Sequence, residues 1–299
     1  MEPEEVALPK VEVEAVEIPG IYRVTDSYRG ESGFRFFMDG VQRTVLWHYF
    51  SYDGAQIPLY LHLSGACIIE RVKPDKFVPV EADYRSEILV PRFVYEEASD
   101  IEGVVDTGAE KPWDLGEIRG RAKVASRALR QELELEVIHR FLSERESEAP
   151  LVKDGNLIGV PRDMPVVGLI KTHNTLYLQG KYPGVQRMVW SMPQYYRSNV
   201  FTIRQLESRG WSRRANSFYL RLHPPSEPET GLIRVEHGPL QVPIDELASW
   251  LIAERYVISG CSRWDRQIYP VQVCEDYLRT QLPSPRIIAT ALHSMEATI

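Results

Sequence analysis

Hydrophobic and polar positions alternate along much of the N-terminal part of the chain. Val11-Glu12-Val13-Glu14-Ala15-Val16 has the period of two that permits an edge strand. Gly33 to Met38 reads GFRFFM, an aromatic and apolar run that favours a strand. Thr44 to Phe50 predicts a second strand, and Tyr52-Asp53-Gly54 is a turn signal, because Asp-Gly tolerates positive φ. Ile57 to Val72 predicts a long third strand, whose centre, Gly65-Ala66-Cys67-Ile68-Ile69, suits burial on both faces. The expectation is a three-stranded meander with Asp39 at the end of its first strand. Residues 74–110 are broken by Pro, Asp and Gly and read as loops with one short helix.

The period then changes. Pro112-Trp113-Asp114 opens a segment in which, from Glu117 to Glu148, there is no proline and the one glycine is Gly120. Leu129, Leu133, Val137 and Phe141 recur every four residues, and Ile138 and Leu142 widen the stripe, so a long helix is predicted. Pro150 and Asp154-Gly155 close it, with Leu151-Val152-Lys153 as a short strand and Val166 to Lys171 as another. A short helix over 184–192 follows, then strands at Phe201-Thr202-Ile203, Phe218 to Leu222 and Leu232 to Glu236. Helices are predicted over Ile244 to Tyr256, from Tyr269-Pro270 through Leu278, and from Arg286 to Ile299. Intermingled strands and helices predict an α/β fold around a mixed sheet. Residues 1–25 read as an acidic arm and 26–299 as a single domain. Residues 1–18 hold six glutamates against one lysine, a run that reads as solvated or as a docking segment.

Composition narrows the class. The chain has 299 residues, with 43% hydrophobic and 26% charged residues and a net charge of −7, an ordinary globular balance. No run is long and apolar enough for a membrane span, and the acidic N-terminus is unlike a secretory signal. Three cysteines without CxxC spacing argue against a disulfide framework or a cysteine zinc site, so a cytoplasmic protein is expected. Nucleotide-binding glycine motifs, HExxH and GxSxG are absent, and the seven histidines are scattered.

What remains is a set of acids at the ends of apolar strands. Asp39 precedes Gly40 and Asp154 precedes Gly155; either is a plain turn residue unless the two meet on neighbouring strands, where their charges would repel without a cation between them. On the long helix, Glu136 falls about 60° to one side of Leu133 and Glu134 about 100° to the other, so both border the apolar stripe and need a partner. A metal, an arginine or Lys171 would serve, and an exposed face with charge pairs is the plain alternative. Lys171 ends VVGLIK, where it either stabilises developing charge on a phosphate or snorkels to the surface. Two basic stretches suggest a polyanion despite the acidic total. One holds Arg119, Arg121, Lys123, Arg127 and Arg130 on the first half of the helix. The other holds Arg197, Arg204, Arg209, Arg213, Arg214 and Arg221, interleaved with Tyr195, Tyr196, Phe201, Trp211 and Phe218, a pairing suited to single-stranded nucleic acid. Pairing with the excess acid is the plain alternative there.

In their order, Met38-Asp39-Gly40-Val41-Gln42-Arg43-Thr44, the long strand after it, the acid-bearing helix, Val152-Lys153-Asp154-Gly155-Asn156-Leu157, Gly168-Leu169-Ile170-Lys171 and Tyr269-Pro270 resemble the NurA nucleases. That resemblance implies an RNase H-like fold and a manganese- or magnesium-dependent deoxyribonuclease. It implies a homodimer working with a HerA-type hexameric ATPase translocase in DNA end processing or phage defence. Carried over, Asp39 and Asp154 match the two family aspartates, Glu136 or Glu134 the helix glutamate (spacing favours Glu136), Lys171 the lysine and Tyr269 the late tyrosine. Where the family often has a histidine, this chain has Glu275 and Asp276, so Asp276 is the expected substitute ligand. The implied mechanism is hydrolysis with two divalent ions about 4 Å apart, held by Asp39, Glu136, Asp154 and Asp276. Arg43, Arg119, Arg127, Arg204, Arg213, Arg214 and Tyr269 are the expected DNA contacts. The alternatives are an inactive DNA-clamping scaffold of such a translocase complex, and an RNase H-like nuclease acting on RNA or hybrids.

Overall fold

A computed structural model describes residues 11–25, 32–145, 149–206, 212–256 and 266–296. Valines and an alanine alternate with glutamates in β1 (Val11–Ala15), and β2 (Ile21–Arg23) follows. Next come three long strands, β3 (Phe36–Tyr52), β4 (Ala55–Lys73) and β5 (Lys76–Val90), then α1 (Arg92–Ala98) and β6 (Val104–Asp106). The long helix is α2 (Leu115–Ser143), followed by the short strands β7 (Leu151–Asp154) and β8 (Val166–Ile170). The remainder is α3 (Pro183–Trp190), β9 (Tyr196–Ser198), β10 (Phe201–Leu206), β11 (Ser212–Arg221), β12 (Leu232–His237), α4 (Ile244–Ala253), α5 (Tyr269–Gln281) and α6 (Pro285–Glu296). The fold is mixed α/β, with parallel and antiparallel strand pairs flanked by helices. Among the described residues no helix is long and apolar enough to cross a membrane.

Contacts group the chain into two compact units, where the sequence reading draws one domain over 26–299. The first joins Met1–Phe37 to Glu146–Gln272, and the second joins Met38–Arg145 to Val273–Ile299. In the first unit, β7 and β8 are parallel, and β8, β12, β11, β10 and β1 then pair antiparallel in that order. Strand β9 pairs with both β11 and β2. Phe201, Ile203, Tyr219 and Leu232 form a core closed by Val185 and Val189 of α3. Residues 11–25, read from sequence as part of an arm, are stitched to this sheet. Val11–Ala15 registers against Phe201–Gln205, and Glu17 accepts from Arg197 at 2.7 Å and from the Val200 N–H at 2.8 Å.

In the second unit β3, β4 and β5 follow one another, β4 and β5 pair antiparallel, and β6 adds parallel to β5. Asp53 (φ 45°) and Gly54 (φ 76°) make the tight β3–β4 turn, both in the left-handed region that such hairpins require. Met38-Asp39-Gly40 is not a strand end, because β3 runs through it without a break. Within 74–110, read as loops with one short helix, the short helix is α1, while Lys76–Val90 is instead β5. Its Pro79 sits beside a register shift opposite Ile68 and Ile69, where an irregularity in the ladder tolerates the missing N–H. Helix α2 begins at Asp114, whose carboxylate accepts the Glu117 N–H at 2.9 Å, and it buries Leu133, Val137, Ile138 and Phe141 as the stripe predicts.

Candidate functional site

The first unit supplies Asp154 and Lys171. Each follows from a parallel strand: Asp154 ends β7, and Lys171 comes directly after β8. The register sets Asp154 opposite Leu169, and the Gly155 N–H continues the ladder to the Leu169 carbonyl at 2.8 Å. Gly168 lets the chains approach, since a Cβ there would lie 2.7 Å from the Gly155 carbonyl oxygen. The result is an ion pair, Lys171 Nζ to Asp154 Oδ1 at 2.8 Å, with both side chains partly exposed. Lys153, nearly buried, donates to the Asp154 carbonyl at 2.8 Å. A support that the sequence did not flag stands behind this turn. Buried Glu236 accepts the Leu157 N–H at 3.0 Å and is paired with Arg234 at 2.5 Å, while Arg266 donates to the Lys171 carbonyl at 2.7 Å. Glu236 lies in a strand with an ordinary apolar pattern, so no sequence signal marks it.

The second unit supplies Asp39 and the helix acids. Asp39 is 6% exposed and accepts its neighbour Gly40's N–H at 2.7 Å. Any side chain at position 40 would overlap the carboxylate of Glu134. Gly40 therefore seats Glu134, 2% exposed, against the strand that carries Asp39. Arg130, one helical turn away, is paired with Glu134 and also donates to Gln42 Oε1 at 3.1 Å. Gln42 continues inward to Ser126 at 2.9 Å, and Ser126 meets Thr44 at 2.8 Å and His62 Nδ1 at 2.9 Å. His62 is fully buried with Glu87 4.0 Å from its other nitrogen, and burial, then the Arg130 charge, lower its pKa to about 4. Burial pushes the Glu87 carboxyl up.

Packing separates the two helix glutamates, of which spacing favours Glu136. Glu136 is turned to Arg85 on β5 with its side chain 44% exposed, so Glu134 is the one beside the Asp39 strand. The late acids separate likewise. Asp276 is exposed, whereas Glu275 lines a cavity with Gly40, Gln42, Arg43, Arg130 and Arg279. Just before them, Cys274 is buried, and its thiol is pushed well up by that burial.

The other expected contacts scatter. Arg119 and Arg127 are exposed on the outer side of α2. Arg43 reaches the carbonyls of Arg279 in the last turn of α5 and of Leu282 and Pro283 just after it. Arg204 is paired across strands with Glu14 at 3.2 Å. Arg213 and Arg214 lie in β11 with side chains outside the described ones, as is Trp211. Tyr269 opens α5, 47% exposed, its ring 6.2 Å from that of Tyr256. The arginine–aromatic stretch of β9–β11 is not a groove at Arg197, Phe201, Phe218 or Arg221, all of which are buried.

Chemically, the site offers a carboxylate–lysine pair at a strand end in one unit, and a buried strand aspartate with a helix glutamate in the other. Among the described residues no three His, Cys, Asp or Glu side chains converge as a metal cage. Glu134, Glu136 and Asp154 already carry Arg130, Arg85 and Lys171 as counter-cations. A divalent ion at Glu134, Glu136 or Asp154 would therefore have to displace a basic partner within that residue's own unit.

No protein-family model and no curated protein matches the chain. Among solved structures it is similar to an Argonaute of A. aeolicus, with 10% identity over 84% of this chain and a TM-score of 0.33. The chain spans 28% of that protein's length, and a likeness this distant leaves function to the chemistry of the chain's own residues.

Proposed function

We propose that the chain is a NurA-like nuclease of RNase H-like type that hydrolyses DNA phosphodiester bonds as the partner of a HerA-type hexameric translocase. The observation that carries the reading is the Asp39–Gly40–Glu134 arrangement, where a glycine seats a buried helix glutamate beside a buried strand aspartate. Burying two acids is costly, and sites that act on substrates are where such costs persist. The order of elements supports the reading: a run of three long strands, a long helix and then a parallel pair. Lys171, held at Asp154, is a cation of the kind that stabilises charge developing on a phosphate oxygen. Manganese or magnesium ions, a homodimer, the translocase and a cytoplasmic setting belong to the reading through the family resemblance alone.

The test is digestion of linear DNA with manganese present, for the natural chain and for Asp39→Asn. The isosteric change should lower cleavage at least about hundredfold with an unchanged unfolding midpoint, and full cleavage by Asp39→Asn sinks the reading. Parallel digestion of RNA and hybrid strands separates a deoxyribonuclease from a nuclease of other substrates. A second reading, a DNA-clamping scaffold without catalysis, is favoured by one observation: the basic partners already held by Glu134, Glu136 and Asp154. Binding of DNA with no cleavage in manganese or magnesium would establish it.

A further inference from the structure

The second unit contains a cavity of about 340 Å³ beside Gly40, and arginines dominate its chemistry. Arg43 comes from β3, Arg130 from α2 and Arg279 from α5, so arginines of three separate elements line one space. Guanidinium stays charged at any working pH, and three in one cavity repel unless anions accompany them. The acids on hand are fewer. Glu275 lines the cavity and pairs with Arg279, and Glu134 pairs with Arg130 from behind Gly40. The bonds of Arg43 to Leu282 (2.6 Å), Pro283 and Arg279 (3.1 Å) go to carbonyl oxygens, which orient the group without neutralising it. Arg130 is likewise steered, by Gln42 Oε1. Among the described residues, the lining therefore carries three guanidinium groups against the one carboxylate of Glu275, next to the strand that bears Asp39.

We infer that this cavity is a seat for a phosphate group, and that Glu275 is its internal competitor, a carboxylate resting on Arg279 where a phosphate oxygen would bind. The match is chemical: an Arg fork presents parallel N–H donors that fit carboxylate and phosphate oxygens alike, so a carboxylate held there marks an oxyanion position. The inference deepens the nuclease reading, because it says where a strand's phosphate docks, but the seat itself needs only the arginines. Glu275 is thereby given a role different from the metal ligation expected of its neighbour Asp276: it regulates phosphate binding.

The experiment is calorimetry in EDTA, with a short 5′-phosphorylated DNA strand, the same strand ending in a hydroxyl, and inorganic phosphate as separate titrants. Arg279, half exposed, and Glu275 are changed one at a time to Gln, and equal unfolding midpoints confirm that the variants fold. Arg279→Gln should weaken binding of the phosphorylated strand about tenfold, the effect of losing a charge-assisted bond. Glu275→Gln should tighten it about threefold, because a competing ion pair is gone. Tightening is the discriminating sign, since a Glu275 that only supports structure would weaken binding when changed. Weakening by both variants, or no change from either, overturns the proposal. Preference for the phosphorylated end identifies a strand terminus as the source, equal binding of both strands an internal diester, and binding of inorganic phosphate alone a free anion; each sustains the seat once both variants shift it as stated. Binding that behaves this way in a chain that cuts nothing keeps the seat and sinks the nuclease reading. Cleavage by a chain whose binding ignores Arg279 does the reverse.

Discussion

Three arginines of each unit differ in how far the surrounding chain encloses them. In the first unit Arg197, Arg221 and Arg234 are 5%, 0% and 5% exposed. Arg197 is held by Glu17 and by Asp245 at 2.5 Å, and Arg234 by Glu236 at 2.5 Å. Arg221 donates to the carbonyls of Val189 and Trp190 at the end of α3, and to those of Met192 and Thr230. In the second unit Arg43, Arg130 and Arg279 line a cavity. Residue type and aromatic neighbours are richer in the first set, yet those guanidiniums are internal braces. What separates a brace from a binding group is whether the surrounding fold spends all of its donors on buried acceptors. Local sequence does not carry that distinction.

The sharpest way to break this contrast is to remove a brace. Arg221→Met should cost about 4 kcal/mol, because it leaves buried carbonyls without donors, and urea unfolding reads the loss. A cost under about 1 kcal/mol would mean that Arg221 is no brace. A smaller effect concerns the network behind the cavity. Unfolded His62 takes up a proton near 6.5, whereas the folded side chain does so only near 4. Its stabilising contribution is complete above about 6.5, declines as the pH falls through that interval and has gone below about 4. The whole interval is worth about 3 kcal/mol. Unfolding measured against pH in the natural chain and in His62→Gln should diverge in that window, with the flatter curve belonging to the variant. The smallest effect is expected from Arg279→Gln, which should leave stability within about 0.5 kcal/mol. A large loss would move Arg279 into the class of braces.

Much of the architecture was legible because its determinants are local. Asp114 and the four-residue stripe specify α2, Asp53-Gly54 specifies the hairpin, and short apolar runs before Asp154 and Lys171 specify β7 and β8. The rest depends on distant partners. Gly40 looks like a turn residue, and only Glu134 on α2, whose carboxylate a side chain there would displace, explains a glycine in mid-strand. β5 looks broken because Pro79 and its acids interrupt the pattern, while the ladder to β4 continues past them by leaving Val80 out of register. Asp154 and Lys171 were legible as strand-end residues, but their pairing rests on the register of two parallel strands. Glu134 and Glu136 both border the helix stripe, so their angular positions could not say which one meets the Asp39 strand.

The alternation in β1 has a further effect. Among the described residues β1 stands at the end of the strand order, a position where backbone N–H and C=O groups invite a neighbouring molecule to add its own strand. Glu12 and Glu14 project from it exposed, while Val11, Val13 and Ala15 are half-buried. Like charges meeting at such a rim repel, so the same glutamates that gave the segment the look of loose chain act as gatekeepers against fibrillar stacking in a crowded solution.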